Sequence, residues 1–515
     1  MSTKNALSPR SPEVTGADVA ECLRVLEALV SNRAGLAEVD LETRTRLLVA
    51  AGRLSRPERT EQRLLARALG KKSRKAIRES DMRKREMAGI RQKRLEPTFV
   101  TPDPRLAGAN DATEASRGWE APELEVARRC YVCKDRVTKV HFFYDQMCGR
   151  CGDENFDKRS QTADLRGRVA FISGARVKIG YQAAMFLLRA GAHVVVTTRF
   201  PRDAARRYAD EKDFEDFRDR LEIYGLDLRH AASVDAFATH LERTLGRLDF
   251  VLHNACQTVR RPSGFYGHLM DGELGPLTLL PEHARGLVRE HELLNADRAA
   301  LVGVSSLIPA APRASAVAPA LSQVVLAPED AVLGPHLYPE GQLDADRQQV
   351  DLRSINSWRL PLHEVQTVEL LEVQLVNAIA PFVLNGRLKP LMLRHRTFDK
   401  HIVNVSAMEG QFYRRFKTDK HPHTNMAKAA LNMMTRTSAA DYAKDGIHMN
   451  SVDTGWVTDE DPAHIARQKA EEEGFSPPLD IVDGAARIVD PIFSGINTGQ
   501  HVWGQFLKDY RPTAW

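Results

Sequence analysis

Cysteine is scarce, with six in 515 residues, and four of them crowd into residues 130–151. That distribution excludes the disulfide framework of a small secreted domain. Long apolar runs are missing as well: no stretch approaches the roughly 20 consecutive apolar residues of a membrane span, and the first ten residues contain no apolar leader segment. No membrane partner is expected. Charge of one sign is not in excess, since 73 Lys and Arg against 68 Asp and Glu leave a formal net charge of +5. The bulk charge therefore names no partner. With 43% hydrophobic and 7% aromatic residues the composition is that of an ordinary globular chain, and the length favours two or more domains. We read the protein as intracellular, in the cytoplasm.

What cysteine there is has a pattern. Cys130, Cys133, Cys148 and Cys151 form two C-x-x-C pairs separated by 14 residues, with a strand-like run over residues 137–144 between them. Two thiolates two residues apart grip a tetrahedral ion from one tight turn, and a second pair across a hairpin completes a closed four-sulfur site. Residues 123–160 are therefore expected to be a zinc-ribbon-like module. Four protein ligands leave no open position, so the zinc would be structural. Unmetallated or redox-linked thiols are the alternative reading of the same residues.

Upstream, residues 1–96 read as a basic, helical region. Val19, Cys22, Leu23, Leu26, Leu29 and Val30 share one helical face over residues 18–30, with Thr15 and Asp18 spaced as a capping box. A second helix is predicted over residues 40–51. From residue 53 to residue 94 there are 16 Lys and Arg against 5 Asp and Glu, and no aromatic residue. Such a stretch either presents a solvated helix face or neutralises phosphates of a nucleic-acid partner; a protein partner is also compatible with it. Pro97, Pro102 and Pro104 open a linker over residues 97–122.

From residue 161 onward the pattern changes to alternating strand and helix. Arg168-Val-Ala-Phe-Ile-Ser-Gly174 is a continuous apolar run ending in a glycine turn. A helix over residues 179–190 and a second buried strand over residues 191–198 complete a βαβ unit. Residues 221–225 and 249–253 continue the strand series around a helix at residues 233–245. Strands that are apolar on both faces belong to a parallel sheet covered by helices. The expected fold class is α/β, a doubly wound parallel sheet of Rossmann type, with its ligand crevice at the carboxyl ends of the strands.

The first βα turn is Ser173-Gly174-Ala-Arg-Val-Lys178-Ile179-Gly180. Glycines here let backbone N–H groups approach a pyrophosphate at the positive end of the next helix. On this turn, and on Asp227, Asn254-Ala255, Asn377, Lys428 and the segment Asn450-Ser-Val-Asp-Thr-Gly-Trp-Val457-Thr458, the chain resembles the short-chain dehydrogenase/reductase family. The match covers about 240 residues in two blocks. It implies a dinucleotide cofactor held by Ser173, Gly174, Lys178, Ile179, Gly180, Asp227, Asn254, Ala255, Lys428, Val457 and Thr458. Lys178 replaces the middle glycine of the family turn, and its side chain either crowds the cofactor or folds its ammonium onto a phosphate. The second strand ends in Thr197-Thr198-Arg199 rather than in a carboxylate, so NADP is expected in preference to NAD, with Arg199 on the 2′-phosphate. The alternative is that Arg199 caps a helix or faces solvent.

The resemblance also implies a catalytic tetrad, of which Asn377 and Lys428 are kept. Thr424 stands where the family has its proton-donating tyrosine, and Ala407 where it has the substrate-orienting serine. Ser406 lies one residue early, which on a strand is the opposite face. An aliphatic hydroxyl is too weak an acid to replace a phenol. Tyr413 and His423, on an extended loop over residues 411–423 that also carries Arg414 and Arg415, are the candidate replacement donors. The same loop would suit an anionic substrate, or simply decorate the surface. An insertion of 90 to 100 residues, at about 262–360, separates the two blocks. At its ends Arg260, Tyr266, Trp358 and Arg359 are candidates for substrate contact or for packing. Two functions follow: an NADP-dependent oxidoreductase with a remodelled acid and an unknown substrate, or a catalytically silent dinucleotide-binding sensor or scaffold that engages a partner through its cysteine module and basic helices.

Overall fold

The continuous apolar runs become strands buried on both faces. In the computed structural model, which describes residues 14–102, 112–295, 318–331, 334, 336–413 and 417–515, the strands are β1 (Glu123–Arg129), β2 (Arg136–Lys139), β3 (Val169–Ser173), β4 (His193–Thr198), β5 (Leu221–Gly225), β6 (Phe250–His253), β7 (Lys400–Ser406), β8 (Ile447–Asp453), β9 (Phe506–Lys508) and β10 (Arg511–Thr513). Eight of them make one sheet in the order β10-β9-β8-β7-β6-β3-β4-β5. All neighbours in it are parallel except β9 and β10. The order reverses between β3 and β6, and that reversal opens the crevice in which doubly wound sheets bind ligands.

The chain divides into two compact units at Glu79/Ser80. The first contains α1 (Gly16–Ser31), α2 (Leu41–Ser55) and most of α3 (Arg59–Glu86). The capping box of Thr15 and Asp18 forms, and Asp40 caps α2 by accepting from Thr43 N–H. The second unit holds the sheet and α4 (Gly149–Lys158), α5 (Lys178–Arg189), α6 (Pro201–Ala209), α7 (Ala231–Thr244), α8 (Thr367–Gln374), α9 (Ala380–Leu393), α10 (Pro422–Lys444), α11 (Ala463–Glu473) and α12 (Ile481–Thr498). One face of the sheet packs on α5, α6 and α12, through Ala183, Leu187, Val196, Ile488 and Ile492. The other packs on α7, α9 and α10, through Phe237, Leu241, Leu384, Leu388 and Ala439. This is the expected α/β architecture.

Residues 80–94 are built into the second unit. The guanidinium groups of Arg85 and Arg91 both hydrogen-bond the buried Asp145, and Arg94 donates to the carbonyls of Pro477 and Leu479. Part of the basic stretch is therefore an internal clamp rather than a solvated face.

Two readings of the sequence change in detail. The strand expected over residues 137–144 stops at Lys139, because the backbone turns back: Phe143 and Tyr144 N–H both donate to His141 Nδ1. One segment is more apolar as a whole than its short consecutive runs imply. α8, the π-helical turn Leu375–Ile379 and α9 run on as a stretch from Thr367 to Leu393, long and apolar enough by composition to cross a membrane. Its Leu384, Leu388 and Leu391 are fully buried against the sheet. The inserted segment is pinned where it is described: Arg260, at its start, is buried and donates to Asp330 at 2.8 and 2.6 Å and to Glu372 at 3.2 Å. Arg414, Arg415, Pro104 and residues 309–317 lie outside the described residues.

Candidate functional site

The crevice is built from the turn after β3. Gly174 has φ +71°, a conformation a side chain tolerates poorly, and a Cβ there would meet Ala255 Cα at 2.7 Å. Ala255 N–H donates to Ser173 Oγ at 3.2 Å, and Asn254 Nδ2 donates to the Gly174 carbonyl at 2.9 Å. That bridge ties the turn after β6 to the turn after β3. Gly180 lies against the same bridge, since a Cβ would fall 2.2 Å from Asn254 Nδ2 and 2.3 Å from Gly174 O. The turn runs into the N-terminus of α5, which receives no side-chain cap. A helix N-terminus of this kind favours negative charge nearby.

Lys178 has φ +57°, a backbone conformation that favours glycine. Its Nζ stands 3.8 Å from Asp346, on the inserted segment. Beside it, Arg176 pairs with Asp203 at 2.6 Å.

At the end of β4, Arg199 donates to the Tyr266 hydroxyl at 2.5 Å and lies over the Tyr266 ring at 4.5 Å. Arg202 and Arg207 pair with Glu292 and Asp203, whereas Arg199 has no ion pair among the described residues. Asp227 is buried after β5. Burial alone would raise its carboxyl, but hydrogen bonds and charge from Arg229, with a contribution from Arg199, hold it below the usual range.

Asn377 sits on the π-helical turn, where its side chain accepts from Gln257 N–H at 2.7 Å and donates to the Gln257 carbonyl at 3.0 Å. Lys428 is buried on α10, with Nζ donating to the Val405 carbonyl at 2.7 Å. Thr424, one turn earlier on the same face of α10, has a buried Oγ1 with no hydrogen-bond partner among the described residues. His423 faces α8, with Nε2 3.7 Å from Glu369. Tyr413 is 98% exposed and is not gathered with these groups. Val457 is buried, and Thr458 Oγ1 donates to Glu460 at 2.7 Å.

Two groups, His421 of the 411–423 loop and Asp453 of the 450–458 segment, carry no role of their own in the sequence reading. His421 opens α10 at φ +42° and stacks on Trp358 with ring centres 3.9 Å apart and planes 3° apart. It lies two turns before Lys428, and burial lowers its pKa against an opposing effect of Glu409. Asp453 ends β8, where burial raises its carboxyl against the pull of Lys508, and it accepts from Met408 N–H at 3.3 Å. Sequence carries no signal for that.

Cys130, Cys133, Cys148 and Cys151 converge, with all four Sγ atoms within 4.8 Å of one another. Cys148 N–H donates to Cys130 Sγ and Cys151 N–H to Cys148 Sγ, both at 3.4 Å. N–H donors stabilise thiolates, and sulfurs this close repel unless a cation or protons lie among them. The donor set and spacing fit a tetrahedral zinc.

Residues 168–266 match the family described as short chain dehydrogenase, and residues 354–476 that described as enoyl-(acyl carrier protein) reductase. The chain belongs to the short-chain dehydrogenase/reductase family. It is 31% identical over 377 residues, 71% of both chains, to the uncharacterized protein R665 of Acanthamoeba polyphaga mimivirus. It is 36% identical over 121 residues, 23% of this chain and 31% of the relative, to dehydrogenase/reductase SDR family member 13 of Bos taurus. A short chain dehydrogenase from Burkholderia cenocepacia, solved in complex with NADP, superposes with a TM-score of 0.40 at 16% identity, covering 67% of this chain and 96% of that one. The two family matches flank the inserted segment, which accounts for the gap between the two blocks of sequence resemblance.

Proposed function

We propose that the protein is an NADP(H)-dependent oxidoreductase of the cytoplasm, acting on a carbonyl or hydroxyl substrate, with a structural zinc in the four-cysteine module. The observation that carries the reading is the turn after β3. Its glycines at Gly174 and Gly180 are locked by the Asn254 bridge and lead to a helix N-terminus without a side-chain cap. Ser173, Gly174, Lys178, Ile179, Gly180, Asn254 and Ala255 would hold the pyrophosphate end. Asp227 and Arg199 would hold the adenosine end, with Arg199 exchanging its neutral tyrosine partner for a 2′-phosphate. Lys428, Val457 and Thr458 would hold the nicotinamide ribose and ring. When bound, the nicotinamide supplies or accepts the hydride.

The proton needs another source than residue 424. Of the residues named from the sequence, His423 is supported by its burial beside Glu369, while the exposure of Tyr413 counts against it. Asn377 holds the helix turn in place through Gln257 and is a positioning residue. The helices of the first unit, with their basic faces, remain the proposed contact for a protein or nucleic-acid partner.

The test is NADPH binding and oxidation across a panel of carbonyl compounds, with wild type, Lys428→Met, His423→Ala and Tyr413→Phe compared. A positioned acid contributes about 10²–10⁴ in rate. Lys428→Met should impair binding or turnover, His423→Ala should lower turnover within that range, and Tyr413→Phe should do little. Full turnover in His423→Ala would remove His423 from the mechanism. NADPH binding with no turnover on any compound would favour the sensor or scaffold reading.

A further inference from the structure

The cysteine module carries a side chain that neither zinc binding nor the dinucleotide reading requires. Tyr131 lies between two of the four cysteines. Its backbone is fixed from both sides: Tyr131 N–H donates to the Gln146 carbonyl at 2.7 Å, and Cys130 N–H to the Asp135 carbonyl at 2.8 Å. The Tyr131 hydroxyl accepts from Trp456 N–H at 2.9 Å. Trp456 lies in the segment after β8 that contains Val457 and Thr458. The approach is close, since Gly455 has φ +78° and a Cβ on it would stand 3.1 Å from the Tyr131 hydroxyl and 2.4 Å from Leu479. On the other side Lys508 Nζ sits 5.3 Å from the centre of the Tyr131 ring, 3.5 Å from Asp453 and 2.9 Å from Asp509.

The packing follows the same line. Cys130, Cys151, Tyr144, Val457, Leu479 and Ile481 form one buried apolar cluster, and Ile179 of the dinucleotide turn packs against it. Two residues assigned to the cofactor thus rest on the same core as two of the cysteines. Tyr144 continues the connection by donating to Asp483 at 2.5 Å, which also receives Arg159 at 2.8 Å.

We propose that metal in the four-cysteine site sets the position of the 455–458 segment through Tyr131, so that metal binding and dinucleotide binding are coupled. The coupling rests on the dinucleotide reading above; the control of the segment by the metal does not. Without the ion, four sulfurs within 4.8 Å of one another lose the charge that holds them together. The turn bearing Tyr131 then loosens, and the hydroxyl no longer fixes Trp456 N–H. A ligand needing that segment in place must spend binding energy to order it. By linkage, a ligand that orders the segment holds the metal more tightly by the same factor.

The experiment uses the full chain under reducing conditions, zinc-loaded and after chelation. Amide exchange is followed in peptides covering residues 450–460, and NADPH affinity is measured on the same samples. Chelation should speed exchange in that segment while β3 and β4 keep their protection, and should weaken NADPH by about fivefold or more, the lower end of ordinary coupling between sites. Unchanged exchange in residues 450–460 after metal removal would overturn the proposal. Tyr131→Phe keeps the ring and all four cysteines. It should retain its zinc and its circular dichroism while exchanging faster at Trp456, and should bind NADPH more weakly. Tyr131→Phe that matches wild type in both exchange and affinity would overturn the role of the hydroxyl. Exchange that depends on metal in a protein that binds no dinucleotide would uphold control of the segment and defeat the dinucleotide reading instead.

Discussion

Replacing Lys178 by glycine and by alanine separates two consequences of one residue. Its φ of +57° costs an L-residue about 1–2 kcal/mol relative to glycine, and glycine returns about 0.5–1 kcal/mol of that as lost chain entropy. Lys178→Gly should therefore be more stable than Lys178→Ala by about 1 kcal/mol, since only alanine retains the strained backbone. The ion pair to Asp346 is lost in both. At 3.8 Å, with a third of the lysine side chain exposed, it contributes a few tenths of a kcal/mol at most. The expected order is glycine, then lysine, then alanine. For a unit of this size the difference amounts to about 1–3 °C in melting temperature, readable by calorimetry alongside urea midpoints. Alanine as stable as glycine would refute the strain argument. NADPH affinity measured on the same variants decides between the two roles left open for the side chain. If the ammonium contacts phosphate, both variants bind more weakly and with a shallower salt dependence. If it crowds the cofactor, Lys178→Gly binds more tightly.

Further expectations follow from other residues. Elemental analysis should find about one zinc per chain, and Cys151→Ser should lower it; zinc-free wild type prepared without chelator would contradict the four-sulfur site. Burial pulls His253 down to about 4, against an opposing hydrogen bond to Asn385 Oδ1, and holds His401 well below 6.5. Both fold best neutral, so their contribution is complete above pH 6.5 and is lost as pH falls towards the folded values. His253 alone should remove about 2 kcal/mol between pH 6.5 and pH 5, and a urea midpoint flat across that window would refute this. Arg260→Ala leaves the buried Asp330 without its cation, while Glu372 keeps Arg229 at 2.8 Å, and should cost about 3–5 kcal/mol, seen as a lower urea midpoint; a loss below about 1 kcal/mol would mean water replaces the guanidinium there.

The parts of the molecule that were legible in the sequence are those set by local pattern. β3, α5 and β4 could be read from two apolar runs around a glycine turn, because strands buried on both faces leave no alternation to mislead. The capping box of Thr15 and Asp18 is likewise a three-residue matter. What could not be read depends on partners distant in sequence. Asp145 draws in Arg85 and Arg91 from 60 and 54 residues away, so residues that look like a solvated basic face become an internal clamp. The strand after Cys133 ends early because His141 takes two backbone N–H groups, competing with a ladder that its apolar neighbours would otherwise have favoured. At the site, Lys178 and Arg199 stood out as departures from a pattern, while His421 needed its stacking on Trp358 to be seen. Tyr131 looked like a spacer between two cysteines until its hydroxyl met Trp456.

The central claim, that the crevice beside Gly174 and Gly180 binds a dinucleotide with preference for NADP(H), is tested most directly by titrating the zinc-loaded protein with NADPH and with NADH, alongside Gly180→Ala and Arg199→Asp. Wild type should bind NADPH more tightly than NADH. Gly180→Ala, whose Cβ would strike the Asn254 bridge at 2.2 Å, should lose both, and Arg199→Asp should lose more affinity for NADPH than for NADH. Tighter binding of NADH by wild type would contradict the role of Arg199, and the absence of saturable binding of either dinucleotide would contradict the claim itself.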